Sequence, residues 1–166
     1  MYKYTICFIE QNGRLLMLNR NKPPAMGLWN GVGGKLEDGE TPLQCAEREV
    51  FEETGLQAAG FRFRGIVSWC VDGADVGGMY VFHVKLPDQV AFATPVCMDE
   101  GILDWKERSW VLAAKNYGVG VIIPRYLNAV LSDDEPCYEH RFVLAGNRLM
   151  AYEAERLVSD ELLAVP

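Results

Sequence analysis

Residues 33–56 read GGKLEDGETPLQCAEREVFEETGL, and the reading of this stretch decides the fold. Thr41 is a helix N-cap, Pro42 fits the first helical position, and Gly55 stands where a helix C-terminus favours glycine. A helix is therefore predicted over Thr41–Thr54, with Leu43, Ala46, Val50 and Thr54 as its inward stripe. Glu49, Glu52 and Glu53 fall at i, i+3 and i+4, so three carboxylates share one helix face. Neighbouring anions repel. A hard divalent cation turns that repulsion into coordination, because Mg²⁺ and Mn²⁺ prefer carboxylate oxygens. Three glutamates alone would equally fit a solvated acidic face, so the surrounding pattern has to decide.

Upstream, Tyr2–Glu10 and Arg14–Arg20 read as strands joined by a Gln11-Asn12-Gly13 turn. Asn21–Gly27, with two prolines and a glycine, is a loop. Trp29–Lys35 holds Gly31, Gly33 and Gly34, where backbone must bend sharply or pass close to another group. Downstream, strands are predicted at Gly60–Val71, Met79–Leu86 and Gly101–Glu107, with a loop over Pro87–Glu100. A second helix lies within Tyr117–Leu131. Pro124 places its start near Ile123. A last hairpin, Tyr138–Ala145 and Arg148–Tyr152, turns at Gly146-Asn147. No linker divides the chain, so residues 1–166 are expected to form one domain of α/β (α+β) class.

The net charge is −7, which argues against duplex DNA as a partner but suits an anionic substrate held through bound cations. Cys7, Cys45, Cys70, Cys97 and Cys137 contain no C-x-x-C pair and are expected to be buried thiols in a reducing compartment. The amino terminus alternates polar and apolar residues rather than forming a leader, and no stretch approaches the ~20 apolar residues of a membrane span. A cytoplasmic location is expected. His83 and His140 are isolated in sequence and read as structural.

From Gly34 onward the pattern is Gly, five residues, Glu40, seven residues, Arg48-Glu49-Val50, one residue, Glu52-Glu53, one residue, Gly55-Leu56. This resembles the Nudix box, G-x5-E-x7-R-E-U-x-E-E-x-G-U with U aliphatic, at all nine specified positions. The resemblance implies an α/β/α sandwich around a mixed sheet and a metal-dependent pyrophosphohydrolase using Mg²⁺ or Mn²⁺. It assigns metal ligation to Gly34, Glu49, Glu52, Glu53 and Glu100, the last from the loop before a strand, with Asp99 as its rival. Catalytic roles fall to Glu53, Glu52, Glu100 and Arg48. One of the helix glutamates, or the loop glutamate, takes the proton from attacking water. Arg48 lies one turn from Glu52 and can orient a carboxylate; by the resemblance it also reaches Glu40. Lys35 and Arg20, near the Gly-rich turn, are candidates for phosphate contact.

Trp29-Asn30-Gly31-Val32-Gly33-Gly34-Lys35 is similar to MutT-type enzymes, especially their mammalian oxidised-purine triphosphatase branch. The resemblance makes the substrate a purine (d)NTP, oxidised forms such as 8-oxo-dGTP among them, with Asn30 at the base edge and Tyr117 as a stacking wall. Two acidic residues that read the base in that branch are replaced here by Gly118 and Val119, and Asn116 is the candidate substitute. Other nucleoside diphosphate derivatives, pterin triphosphates, RNA 5′ ends and a non-catalytic nucleotide sensor remain alternatives. Oligomerisation is left open.

Overall fold

The computed structural model describes residues 2–158. The first hairpin forms where the Asn-Gly turn places it. β1 (Tyr4–Gln11) and β2 (Arg14–Arg20) pair antiparallel from Gln11↔Arg14 to Ile9↔Leu16. Beyond that point the strands diverge, and the Gly-rich segment fills the notch between them. β3 (Trp29–Asn30) pairs with β2 at Asn19 and Leu18. The chain then crosses to β1, where Cys7 N donates to Val32 O at 2.6 Å and Thr5 N to Gly34 O at 2.9 Å. The box residues thus begin inside a split in the sheet.

β4 (Arg62–Val71) and β5 (Ala74–Lys85) form a second hairpin, and β5 runs parallel to β1 from Tyr4↔Met79 to Glu10↔Lys85. β5 starts five residues before the predicted Met79. Gly77 and Gly78 look like breakers in sequence, yet they pair across to Trp69 and Ser68. Asp72 (φ 52°) and Gly73 (φ 83°), both left-handed, make the tight turn. A short β6 (Val96–Met98) appears inside the predicted 87–100 loop, against β7 (Gly101–Glu107). A one-turn α2 (Arg108–Val111) follows, then a 3₁₀ turn at Tyr117–Val119 and α3 (Ile123–Leu131). β8 (Tyr138–Ala145) and β9 (Arg148–Arg156) close the chain. β9 continues past the predicted Tyr152 because it is an exposed outer strand and its residues carry no buried alternation.

The nine strands of the described residues make one mixed sheet, ordered β6-β7-β2-β1-β5-β4-β8-β9 with β3 on β2. Helix α1 (Pro42–Thr54) covers one face. There Ala46 and Val50 pack with Cys7, Ile9, Leu16, Leu18 and Phe82. The predicted stripe is buried at Ala46 and Val50, while Leu43 is exposed, Thr54 is half-buried, and Cys45 is buried instead. Helix α3 covers the other face, with Tyr126, Leu127 and Val130 against Phe8, Met17 and Phe142. This is the expected mixed-sheet sandwich. The Arg64 guanidinium donates to the carbonyls of Ala129, Val130, Ser132 and Glu135, supplying cationic partners at the negative end of α3.

Both histidines are buried and serve the fold. His83 Nε2 donates to Glu10 Oε2 at 2.9 Å while its Nδ1 faces the Arg62 guanidinium at 3.4 Å. His140 Nδ1 meets Tyr152 Oη at 2.9 Å. Cys7 and Cys45 are buried as expected; Cys70 and Cys137 are half-buried and Cys97 is exposed, so that expectation fails for three of five. No helix among the described residues is long and apolar enough to cross a membrane.

Candidate active site

The N-cap of α1 is a reciprocal pair. Gln44 N donates to Thr41 Oγ1 at 3.2 Å and Thr41 N to Gln44 Oε1 at 2.9 Å, satisfying two otherwise unpaired amides and contributing ~1 kcal/mol. Gly55, at φ 71°, returns its N–H to Phe51 O. With both ends fixed, the carboxylate face of α1 is set against the Gly-rich crossing.

Arg48 organises that face. Its Nε and Nη2 grip Glu40 in a fork, at 2.8 and 3.0 Å, as the box pattern implies. Its Nη1 meets Glu49 Oε1 at 2.8 Å and Glu52 Oε2 at 3.0 Å, and Nη2 also reaches Lys35 O at 3.1 Å. The Arg48 bonds hold Glu40 below the usual carboxylate range. Burial pushes Glu49 up in spite of the same cation. The two glycines of the crossing are there for space. A Cβ on Gly34 would overlap the Glu49 carboxylate, and one on Gly33 would strike Thr5 O.

Glu53 differs from its neighbours. Arg48 does not reach it. Its one hydrogen bond among the described residues comes from Gly33 N, at 3.2 Å. Burial, then the nearby Glu49 charge, raises its pKa to about 7, and Glu100 adds to the rise while Arg20 opposes it. A partly desolvated carboxylate among anions is the arrangement that a general base near neutral pH requires.

Glu100 stands across the notch, immediately before β7. Lys22 Nζ lies 2.8 Å from its Oε1 and Arg20 Nη2 3.8 Å from its Oε2. Asp99, the rival, is exposed, and its carbonyl accepts from Asn21 Nδ2 at 3.0 Å. As placed, no three acidic, histidine or cysteine side chains among the described residues converge closely enough to hold an ion. Arg48 draws Glu49 and Glu52 to one side, and Lys22 draws Glu100 to the other. The donor set nonetheless fits a hard divalent cation: carboxylates of Glu49, Glu52, Glu53 and Glu100 and the carbonyl of Gly34, with Glu53 lacking any cation at hydrogen-bond distance.

The expected base-reading residues lie on the other side of the crossing. The Tyr117–Val119 turn sits against β3, so Asn30 and Tyr117 share a neighbourhood. Asn30 Oδ1 accepts from Gly31 N at 3.0 Å, and its amide nitrogen makes no hydrogen bond among the described residues. Tyr117 is 80% exposed, a free ring. Asn116 is differently placed. Its Oδ1 caps Gly118 N at 2.9 Å and its Nδ2 donates to Trp110 O at 2.7 Å, so the amide serves the turn at both ends. Val119 is buried in the α3-side core and cannot face a ligand. Lys35 has an exposed side chain beside the box. The sequence reading overlooked Lys106, whose ammonium lies 4.0 Å from the Trp29 ring centre and 5.9 Å from that of Trp110. Nothing in the sequence signals it, because its place opposite Leu15 follows from the register of β7 on β2.

The NUDIX domain matches residues 3–118, and the chain belongs to the Nudix family. Over 52 residues it is 44% identical to the oxidized purine nucleoside triphosphate hydrolase of Danio rerio, a match covering 31% of this chain and 33% of that protein. The chain thus spans about a third of that relative's length. It is 27% identical over 110 residues to phosphatase NudJ of Escherichia coli, covering 66% of this chain and 71% of that one. The MutT protein of Bacillus halodurans superposes with a TM-score of 0.70 at 25% identity, over 93% of this chain and 98% of that structure.

Proposed function

We propose that this chain hydrolyses the pyrophosphate linkage of a nucleoside triphosphate, a purine (d)NTP with oxidised forms such as 8-oxo-dGTP included, releasing the monophosphate and pyrophosphate. The observation that carries the proposal is the placement of Glu53: Arg48 engages Glu40, Glu49 and Glu52, whereas Glu53 lies outside that network and accepts from Gly33 N at 3.2 Å in the Gly-rich crossing. The oxidised-purine triphosphatase relative supports the substrate class.

In this reading Glu49, Glu52, Glu53, Glu100 and the Gly34 carbonyl hold Mg²⁺ or Mn²⁺. A bound divalent ion supplies charge neutralisation on the phosphates and makes water more acidic. Glu53 takes the proton of the water that attacks phosphorus. Arg48 steadies the Glu49 and Glu52 carboxylates through its Nη1 hydrogen bonds. Arg20 and Lys35 bring positive charge to the phosphates. Asn30 offers its amide to the base edge, and Tyr117 forms a stacking wall.

Pyrophosphate release is the test, assayed with Mg²⁺ and with Mn²⁺ over a panel of purine, oxidised-purine and pyrimidine triphosphates. Full activity after thorough chelation would refute the metal role. Asn30→Ala should shift the purine-to-pyrimidine ranking roughly tenfold, and Tyr117→Ala should weaken all bases more evenly, at ~1–3 kcal/mol per stacked base. A second reading keeps the reaction and widens the substrate to other phosphoanhydrides. The engaged Asn116 and buried Val119 favour it, since neither presents a free polar group to a base.

A further inference from the structure

Lys22 was not expected from sequence to belong to the site, yet backbone contacts hold it there. Asn21 N donates to Glu100 O at 3.0 Å and Asn21 Nδ2 to Asp99 O at 3.0 Å, pinning the start of the 21–28 loop to the turn before β7. Gly27 N closes the same loop onto Arg20 O at 2.7 Å. The neighbouring Lys22 therefore has little choice of carboxylate, and its Nζ sits 2.8 Å from Glu100 Oε1. Glu100 is the loop carboxylate that faces Glu53, with Arg20 in the same neighbourhood.

Two charges decide what such a contact does. The pair is open to solvent, with the Lys22 side chain 56% and the Glu100 side chain 34% exposed. An exposed pair of this kind is weak. A divalent ion offers the same carboxylate twice the charge at shorter range. Once Glu100 serves such an ion, the ammonium faces a net positive neighbour and needs another anion. In the functional reading given above, on which this inference rests, the polyphosphate is that anion.

We propose that Lys22 is a substrate-positioning cation that competes with the divalent ion for Glu100 and passes to the substrate's phosphates when the ion binds. Lys22 thereby couples metal binding to phosphate binding through one side chain. Arg20 is more buried, at 22% side-chain exposure, and lies farther from Glu100, so it is the fixed cation and Lys22 the exchangeable one.

The test uses the full chain and two variants, Lys22→Met, which keeps the stem and removes the charge, and Lys22→Arg, which keeps a cation. Mn²⁺ affinity is measured without nucleotide, by electron paramagnetic resonance of the free ion, and KM and kcat are measured with dGTP. Lys22→Met should bind Mn²⁺ about two- to fivefold more tightly and raise KM for dGTP about tenfold, the effect falling on KM rather than kcat. Lys22→Arg should restore both values. Unchanged or weaker Mn²⁺ binding in Lys22→Met overturns the competition. Tighter Mn²⁺ binding with an unchanged KM overturns the transfer to phosphate. A wild-type chain that binds no Mn²⁺ sinks the functional reading and this inference together, whereas a normal wild type with an unaltered variant sinks this inference alone.

Discussion

The two faces of the sheet treat polar groups in opposite ways. Under α1, one guanidinium engages Glu40, Glu49, Glu52 and a backbone carbonyl. Under α3, the Tyr126 hydroxyl and His140 Nε2 are buried with no hydrogen-bond partner among the described residues, although their rings lie only 5.6 Å apart. The difference follows from where partners come from. Around Arg48 they are supplied locally: Glu49 and Glu52 come from the same helix at i+1 and i+4, and Glu40 and the Lys35 carbonyl from the segment just before it. Between α3 and β8 they must come from separate elements whose spacing is set by apolar packing. The first face spends its order on charge placement, and the second on filling volume.

The largest effect should come from the one box carboxylate that the Arg48 network omits. Glu53→Gln keeps shape and removes both basicity and negative charge. Turnover in the pyrophosphate-release assay should fall by ~10²–10⁴ while the folded structure persists. Near-normal turnover would mean that isolation from Arg48 carries no function, and the contrast between Glu53 and its neighbours would lose its meaning.

Arg48→Ala tests the network itself. It leaves Glu40 and Glu49 without their cation, and both side chains are largely buried, at 11% and 14% exposure. Urea unfolding should show a loss of about 3 kcal/mol. Arg48→Lys should recover little of it, because an ammonium cannot reproduce the fork on Glu40. A loss under ~1 kcal/mol would place this network among ordinary surface pairs.

What was legible in sequence divides along the same line. The cap residues, Pro42, Gly55 and the spacing of Glu49, Glu52 and Glu53 belong to one continuous segment, and α1 formed as read apart from Leu43 and the half-buried Thr54. The first hairpin and α3 were equally plain, because Asn12-Gly13 and Pro124 act locally. What failed needed tertiary information. The strand predicted from Met79 starts earlier, at Ala74, because Gly77 and Gly78 pair with Trp69 and Ser68 of β4. Lys22 reaches Glu100 across 78 residues, and no pattern in the 21–28 loop announces it. Asn116 entered the reading through the resemblance alone, and sequence gives no sign that its amide also caps its own turn.

His140 sharpens the comparison through pH. Burial lowers its pKa to about 4, below the usual ~6.5, so between those values the unfolded chain binds a proton that the folded chain refuses. Its contribution is complete above pH 6.5 and is lost as the pH falls toward 4. Glu53, raised to about 7, works in the opposite sense over much of that window, so the wild-type slope is a difference of two effects. His140→Phe removes one of them. Relative to wild type, the variant should gain about 2 kcal/mol between pH 7 and pH 4.5, read from urea midpoints at each pH. Parallel pH profiles would show that His140 titrates normally in the fold.

Tyr126→Phe should have the smallest effect and the most informative sign. The ring packs edge-on against Phe8 and Phe142 and is fully buried, and phenylalanine keeps all of that contact. Only the hydroxyl is lost. A buried hydroxyl without a partner costs its desolvation, so its removal should raise stability by up to ~1 kcal/mol in urea unfolding at pH 7. As placed, no hydrogen bond joins the Tyr126 hydroxyl to His140 Nε2; His140 Nδ1 meets Tyr152 Oη, which in turn donates to Arg125 O at 3.3 Å. That arrangement makes Nδ1 the protonated nitrogen and leaves Nε2 a bare acceptor near a hydroxyl donor. A water between them would satisfy both. In that case Tyr126→Phe would lower stability by a similar ~1 kcal/mol. A measured loss would therefore show that the α3 face is wired as fully as the α1 face, through a bridging water, and would erase the contrast between them.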